Sequence, residues 1–174
     1  MKKPLFAFLT IFFLFFLFFH SLSFESINVE ELEAVFIYKF LSFVYWPQKK
    51  EDISLCIIDN TPLKDYLLEF NGYPLQEKTI IVKDIKKSNL KKKIEICDVL
   101  ILDNSIKNIK DILSYSKERK ILTISNNHDF IKKGGMLEIF IKNKKLRFKV
   151  NYSLAKSLGI RISSKVLSLA EEVL

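Results

Sequence analysis

Short apolar runs at 53–58, 79–82, 98–102 and 120–124 are separated by stretches of helical character. This alternation constrains the fold more than any other feature. Strands that alternate with helices pack as a sheet with helices on both faces. The spacing predicts an α/β protein, a three-layer sandwich around a largely parallel sheet.

The connecting segments carry their own signals. Residues 28–46 read as a helix, with Asn28 as its cap and Glu31 as the reciprocal partner of a capping box. Val29, Leu32, Phe36, Phe40 and Phe43 form its apolar stripe. Trp46-Pro47 ends it, because the residue before proline is pushed out of helical angles. Thr61-Pro62 starts a short helix, Asn71-Gly72 marks a turn, and Ser88 caps a lysine-rich helix. Residues 105–117 read as a helix and 129–133 as a helical turn. Helices at 152–157 and 162–172 close the chain, the last with Ile162, Val166, Leu169, Ala170 and Val173 as its buried stripe.

Between 134 and 151 the period changes to two. Gly134 and Gly135 break the preceding segment. Leu137, Ile139 and Ile141 then point one way, and Met136, Glu138 and Phe140 the other. A tight connection at Asn143 leads to a second strand with Leu146, Phe148 and Val150 on one face. Arg147, Lys149 and Asn151 share the opposite face. This C-terminal antiparallel hairpin makes the sheet mixed. Its two cations need a solvated face, an acidic partner or a small anionic ligand. Arg147 has the fork to grip a carboxylate or phosphate. The structural alternative pairs Arg147 with Glu138 and uses Asn151 as a helix cap. Arg161, beside Gly159, is open to the same two readings.

The first residues read as an export leader. Lys2 and Lys3 precede an almost wholly apolar core, and Ser21 and Ser23 are the small residues that cleavage before Phe24 requires. An uncleaved anchor is the alternative. No cysteine stands near the junction to take a lipid. Cleavage after Ser23 assigns 1–23 to a signal peptide and 24–174 to a single exported domain. The formal net charge of +8 includes the two leader lysines. An exported chain meets an acidic partner or membrane surface rather than nucleic acid. Cys56 and Cys97 both remain, and an even pair in an oxidising compartment suggests one disulfide, with two buried thiols as the alternative.

Catalysis finds little support. His128 is the one histidine past the leader, no serine lies in a nucleophile elbow, and the only two cysteines are expected to pair. No catalytic residue, metal ligand or cofactor is assigned. Asp59 and Asp103 follow strands, as in a phosphoacceptor domain, but Asn60 stands beside Asp59 and an exported chain meets no phosphodonor. Tyr38, Tyr45 and Trp46, beside the first helix's stripe, are either core or an interface, where aromatics are enriched.

Several blocks resemble a known family in order. They are the 34–47 helix ending in Trp46-Pro47, the two cysteine-bearing strands around Cys56 and Cys97, and the run from Thr123 through Gly134-Gly135-Met136 to Asn151. The ending from Gly159 to Leu167 completes the set. Together they are similar to the YfiR family. The resemblance implies a periplasmic, non-enzymatic, dimeric regulator that restrains a membrane-bound diguanylate cyclase of the YfiN type and so controls cyclic di-GMP and biofilm formation. Another membrane sensor protein is the alternative partner. Small ligands go with the family too, which leaves a small-molecule sensor as the alternative function.

Overall fold

A computed structural model describes residues 28–47, 50–58, 61–86, 88, 90–103, 106 and 109–174. The expected leader lies outside them, as do Asp59, Asn60, Lys87, Ser105 and Lys107.

The first helix, α1 (Val29–Leu41), carries Asn28 as its cap, whose Oδ1 accepts from the Glu30 amide at 3.1 Å. Glu30 and Glu31 sit in its first turn, where the positive end of the helix dipole favours them. It stops at Leu41, short of the expected Trp46-Pro47 boundary. Val44–Tyr45 form strand β1 instead, antiparallel to β9 (Arg161–Ile162), with Val44 facing Ile162 and Tyr45 facing Arg161. The buried face of α1 is Glu33, Ala34, Ile37, Phe40 and Leu41. The expected stripe is met in part: Phe40 is buried and Phe36 leans on Phe148 at 5.1 Å between ring centroids, but Val29, Leu32 and Phe43 are exposed.

The main sheet holds β2 (Asp52–Ile58), β3 (Pro74–Leu75), β4 (Lys78–Ile85), β5 (Val99–Leu102), β6 (Leu122–Ser125), β7 (Leu137–Lys142), β8 (Lys145–Val150) and β10 (Glu172–Val173). The order is β10-β8-β7-β6-β5-β2-β4-β3. The run β4-β2-β5-β6-β7 is parallel throughout. β3 and β8 join it antiparallel, and β10 lies parallel to β8. The expected mixed sheet with a closing hairpin is therefore present.

Helices α2 (Lys64–Leu68), α3 (Leu90–Lys93), α4 (Ile109–Glu118), α5 (Tyr152–Ser157) and α6 (Ser164–Leu167) complete the fold. Because alternate residues of a strand face opposite ways, β2 sends Leu55 and Ile57 to one core and Cys56 and Ile58 to another. The first core takes α1, Leu67 of α2, Ala155 of α5 and Val166 of α6. The second takes Ile112 and Leu113 of α4, with Ile94 and Phe130. Every residue of β5 and β6 is buried, as strands covered on both faces must be. These are the three layers of an α/β sandwich.

Cys56 and Cys97 are joined as a disulfide, with their Cα atoms 5.7 Å apart. Constraining a loop of 41 residues in the unfolded chain stabilises the fold by about 4 kcal/mol on the chain-entropy account.

The expected 162–172 helix is cut to α6, with a strand on each side. Ser163 donates its amide to the Phe43 carbonyl at 2.9 Å, and Glu171 donates to Phe148 at 2.8 Å. Those long-range bonds take the backbone on either side of α6 out of helical pairing. Leu169, expected in the core, is 71% exposed.

Candidate functional site

The polar face of β8 is built by hairpin register. Glu138 faces Lys149, and Phe140 faces Arg147. Lys149 Nζ lies 3.8 Å from Glu138 Oε1 and 3.4 Å from Glu172 Oε2, and 5.4 Å from the Phe140 ring centroid. Arg147 does not meet Glu138 as the sequence suggested. Its Nε lies 3.8 Å from Glu171 Oε2, because β10 brings the Glu171-Glu172 pair alongside. Lys142 also pairs with Glu171. That hydrogen bond, with the added charge of Lys142, Arg147 and Lys149, holds the Glu171 carboxyl below its usual range against some desolvation. Lys142, Arg147 and Lys149 are thus each matched by a carboxylate across three strands.

Asn151 caps α5, its Oδ1 accepting from the Leu154 amide at 3.0 Å while its Nδ2 donates to the Ile131 carbonyl at 3.3 Å. Arg161 sits apart from these groups, exposed on β9 opposite Tyr45. The structure therefore places Arg147 and Lys149 on β8, Asn151 just past its end, and Arg161 elsewhere.

The aromatic trio divides. Tyr38 stacks on Phe70 at 4.7 Å and meets Tyr73 edge-on at 6.1 Å, and its hydroxyl donates to the Pro74 carbonyl at 2.7 Å. Those contacts tie α1 to the β3 edge. Tyr45 is half exposed. Trp46 is partly buried, and its Nε1 has no partner among the described residues. Trp46 and Pro47 wall a cleft at the amino ends of β2, β5 and β6, shared with Lys50, Cys97, Asp98 and Arg119. Its volume is about 60 Å³, well under the roughly 300–1,000 Å³ of metabolite pockets. Its acidic and guanidinium groups are already engaged: Asp98 accepts from Lys50 Nζ at 2.6 Å and from the Ser54 amide at 2.9 Å. Arg119 reaches Glu95 at 2.8 Å.

The carboxyl ends of the parallel strands, where α/β proteins bind ligands, show a feature that sequence reasoning missed. Glu33 is 6% exposed and hydrogen-bonds the Asn126 side chain just past β6. Burial pushes its carboxyl above the usual range and Glu30 adds to this, while the Asn126 bond opposes it. The signal was there: a glutamate at 33 interrupts the buried face of α1 with Ala34 and Ile37. Nearby, the Asp103 carbonyl accepts from Asn127 Nδ2 at 3.2 Å. His128 is exposed and lies 3.0 Å from Asp129. Among the described residues no group of three or more His, Cys, Asp or Glu side chains is placed to hold a metal.

Fold and face together define an α/β protein whose sheet is extended by a charge-matched hairpin. The model of the YfiR/HmsC-like family matches residues 30–171, and the chain belongs to that family. It is a family of periplasmic, regulatory, non-catalytic proteins in cyclic di-GMP signalling. No curated protein matches the chain. Among solved structures, a conserved domain protein of Vibrio cholerae is similar, at 14% identity and a TM-score of 0.57, over 84% of this chain and 60% of that one. An ABC domain in complex with L-Trp from Streptococcus pneumonia is also similar, at 14% identity and a TM-score of 0.58, over 84% of this chain and 62% of that one. At such identity the likeness is one of fold, and the chain spans about three fifths of either structure's length. Among the described residues no helix is long and apolar enough to cross a membrane.

Proposed function

We propose that the protein is exported, loses residues 1–23 after Ser23, and works in the periplasm as one domain, 24–174. There it binds a membrane-bound diguanylate cyclase as a homodimer and holds it inactive. The family match across 30–171 carries this reading, and the basic-then-apolar leader supports export. Restraint of this kind needs only tighter binding to the inactive state of the cyclase than to the active one. The exposed apolar side of α1, with Val29, Leu32 and Val35, and the exposed Tyr45 beside it in chain order offer contact surface.

Deleting the protein should raise cellular cyclic di-GMP and surface attachment, and co-purification from membranes should recover the cyclase. Unchanged cyclic di-GMP in the deletion strain would remove the cyclase from this reading and leave another membrane sensor as the partner. A sensor of small anionic metabolites has less support, because the β8 cations are already matched by Glu138, Glu171 and Glu172. If such a ligand does bind there, it should raise the melting temperature, and Arg147→Ala should weaken that rise.

A further inference from the structure

Strand β8 is held very differently on its two sides. On one side, six register pairs join it to β7. On the other, β10 offers two, Glu172 to Lys149 and Val173 to Val150. That pairing is parallel, the weaker kind per residue. Its backbone bonds run from the Glu171 amide to the Phe148 carbonyl at 2.8 Å and from the Leu174 amide to the Val150 carbonyl at 2.9 Å. The Ser153 amide adds a bond to the Leu174 carbonyl at 2.9 Å.

Apolar burial in this attachment is partial: Val173 and Leu174 keep 46% and 43% of their surface exposed, and Leu169 before them 71%. Charge adds to it. Glu171 meets Lys142 and Arg147, and Glu172 meets Lys149. Ion pairs at such exposure are individually weak and are screened by salt. The segment 171–174 is therefore a short acidic strand laid along a basic sheet edge. Lifting it would expose the Phe148 and Val150 carbonyls, with Lys142, Arg147 and Lys149 beside them, and an exposed edge invites another strand.

We propose that this edge of β8 is a β-augmentation site for an acidic extended segment of a partner protein, with the chain's own residues 171–174 as its intramolecular occupant. Main-chain bonds supply the affinity in such additions, and side chains set the choice of partner. Here the choice falls on adjacent carboxylates, the pattern that Glu171-Glu172 already displays. The reading stands whether or not the partner is a cyclase.

The test uses a labelled peptide, Ser-Leu-Ala-Glu-Glu-Val-Leu, the sequence of residues 168–174. In the whole exported chain, E171K/E172K sets the strand against three cations and opens the edge. Fluorescence anisotropy should show the peptide binding this variant about tenfold or more tightly than the wild type, since the competing occupant is gone. Added Arg147→Glu and Lys142→Glu should abolish that binding, and salt should weaken it. A neutral peptide with both glutamates replaced by glutamine should bind poorly. Equal binding to the wild type and to a folded E171K/E172K chain would overturn the proposal, as would equal binding of the neutral peptide. A wild-type dimer lost in the variant, with no peptide bound, would assign the edge to a second copy and overturn the partner reading. If the variant does not fold, hydrogen exchange on the wild type decides. The Glu171 and Leu174 amides should exchange about a hundredfold faster than those of the β7–β8 hairpin, and equal protection would refute a displaceable strand.

Discussion

Glu138 and Lys149 face each other across the β7–β8 hairpin at 3.8 Å, with the Glu138 side chain almost fully buried. Glu138 Oε2 also accepts from the Ile131 amide at 3.4 Å, so the carboxylate links the hairpin to the turn that precedes it. Removing only the cation leaves that charge buried and poorly matched. Lys149→Met should cost about 3 kcal/mol in urea denaturation. Adding Glu138→Gln should recover much of the loss, and a double-mutant cycle measures the coupling. Additive losses would mean that the two residues act independently.

Gly135 is fixed by packing rather than by backbone angle. A Cβ there would lie 2.2 Å from Phe130 Cε1, and Phe130 is wholly buried. Gly134 has open space around its Cβ position but a φ of +98°. Gly135→Ala should cost about 3 kcal/mol by overpacking, and Gly134→Ala about 1 kcal/mol by strain. Thermal denaturation of both variants should rank them in that order.

Asn143 and Lys144 turn the hairpin with φ of 52° and 59°. Both angles are left-handed, as a two-residue turn between twisted strands requires. Lysine bears that conformation at a cost that glycine lacks. Lys144→Gly should therefore stabilise the protein, by roughly 0.5–1 kcal/mol after the added freedom of the unfolded chain is counted. A lower urea midpoint for this variant would contradict the turn geometry.

The buried Glu33 gives stability a pH dependence of definite sign. Its folded carboxyl titrates above its unfolded one, so the folded state holds the proton more readily. This contribution to stability falls as pH rises from the ordinary carboxylate range through the raised folded value, and above it the deficit is constant. Glu33→Gln removes the titration while keeping a group able to bond Asn126. Urea midpoints taken between about pH 4 and pH 8 should show the variant gaining on the wild type as pH rises. Parallel curves would mean that Glu33 is not held away from water.

Removing the disulfide should be costly without altering the fold. Cys56→Ala/Cys97→Ala should lose about 4 kcal/mol, and its far-ultraviolet spectrum should stay that of the wild type.

Legibility in the sequence depends on the reach of each signal. The parallel strands and the hairpin were legible because periodicity is local: Leu137 and Ile139 share a face with Phe148 and Val150, as the alternation requires. The ends of α1 and α6 were not, because distant segments set them. Phe43, Val44 and Tyr45 continue an apolar pattern that suits a helix, yet Arg161 and Ile162 draw Val44 and Tyr45 into a strand. Glu171-Glu172 carried no local sign of joining an edge, since their reason for being there is the charge on Lys142, Arg147 and Lys149. The basic face of β8 was therefore visible and its matching carboxylates were not.

The covalent bridge has a mechanical consequence if, as proposed, the protein works against a membrane-anchored partner. A pull delivered through α1 and resisted near β8 travels along the backbone only as far as Cys56. It then crosses the sulfur bridge to Cys97. The intervening chain, with β3, β4, α2 and α3, lies outside the load path. Tension would fall on β2, on β5 and on the elements between β5 and β8, while roughly a quarter of the protein's length stays slack.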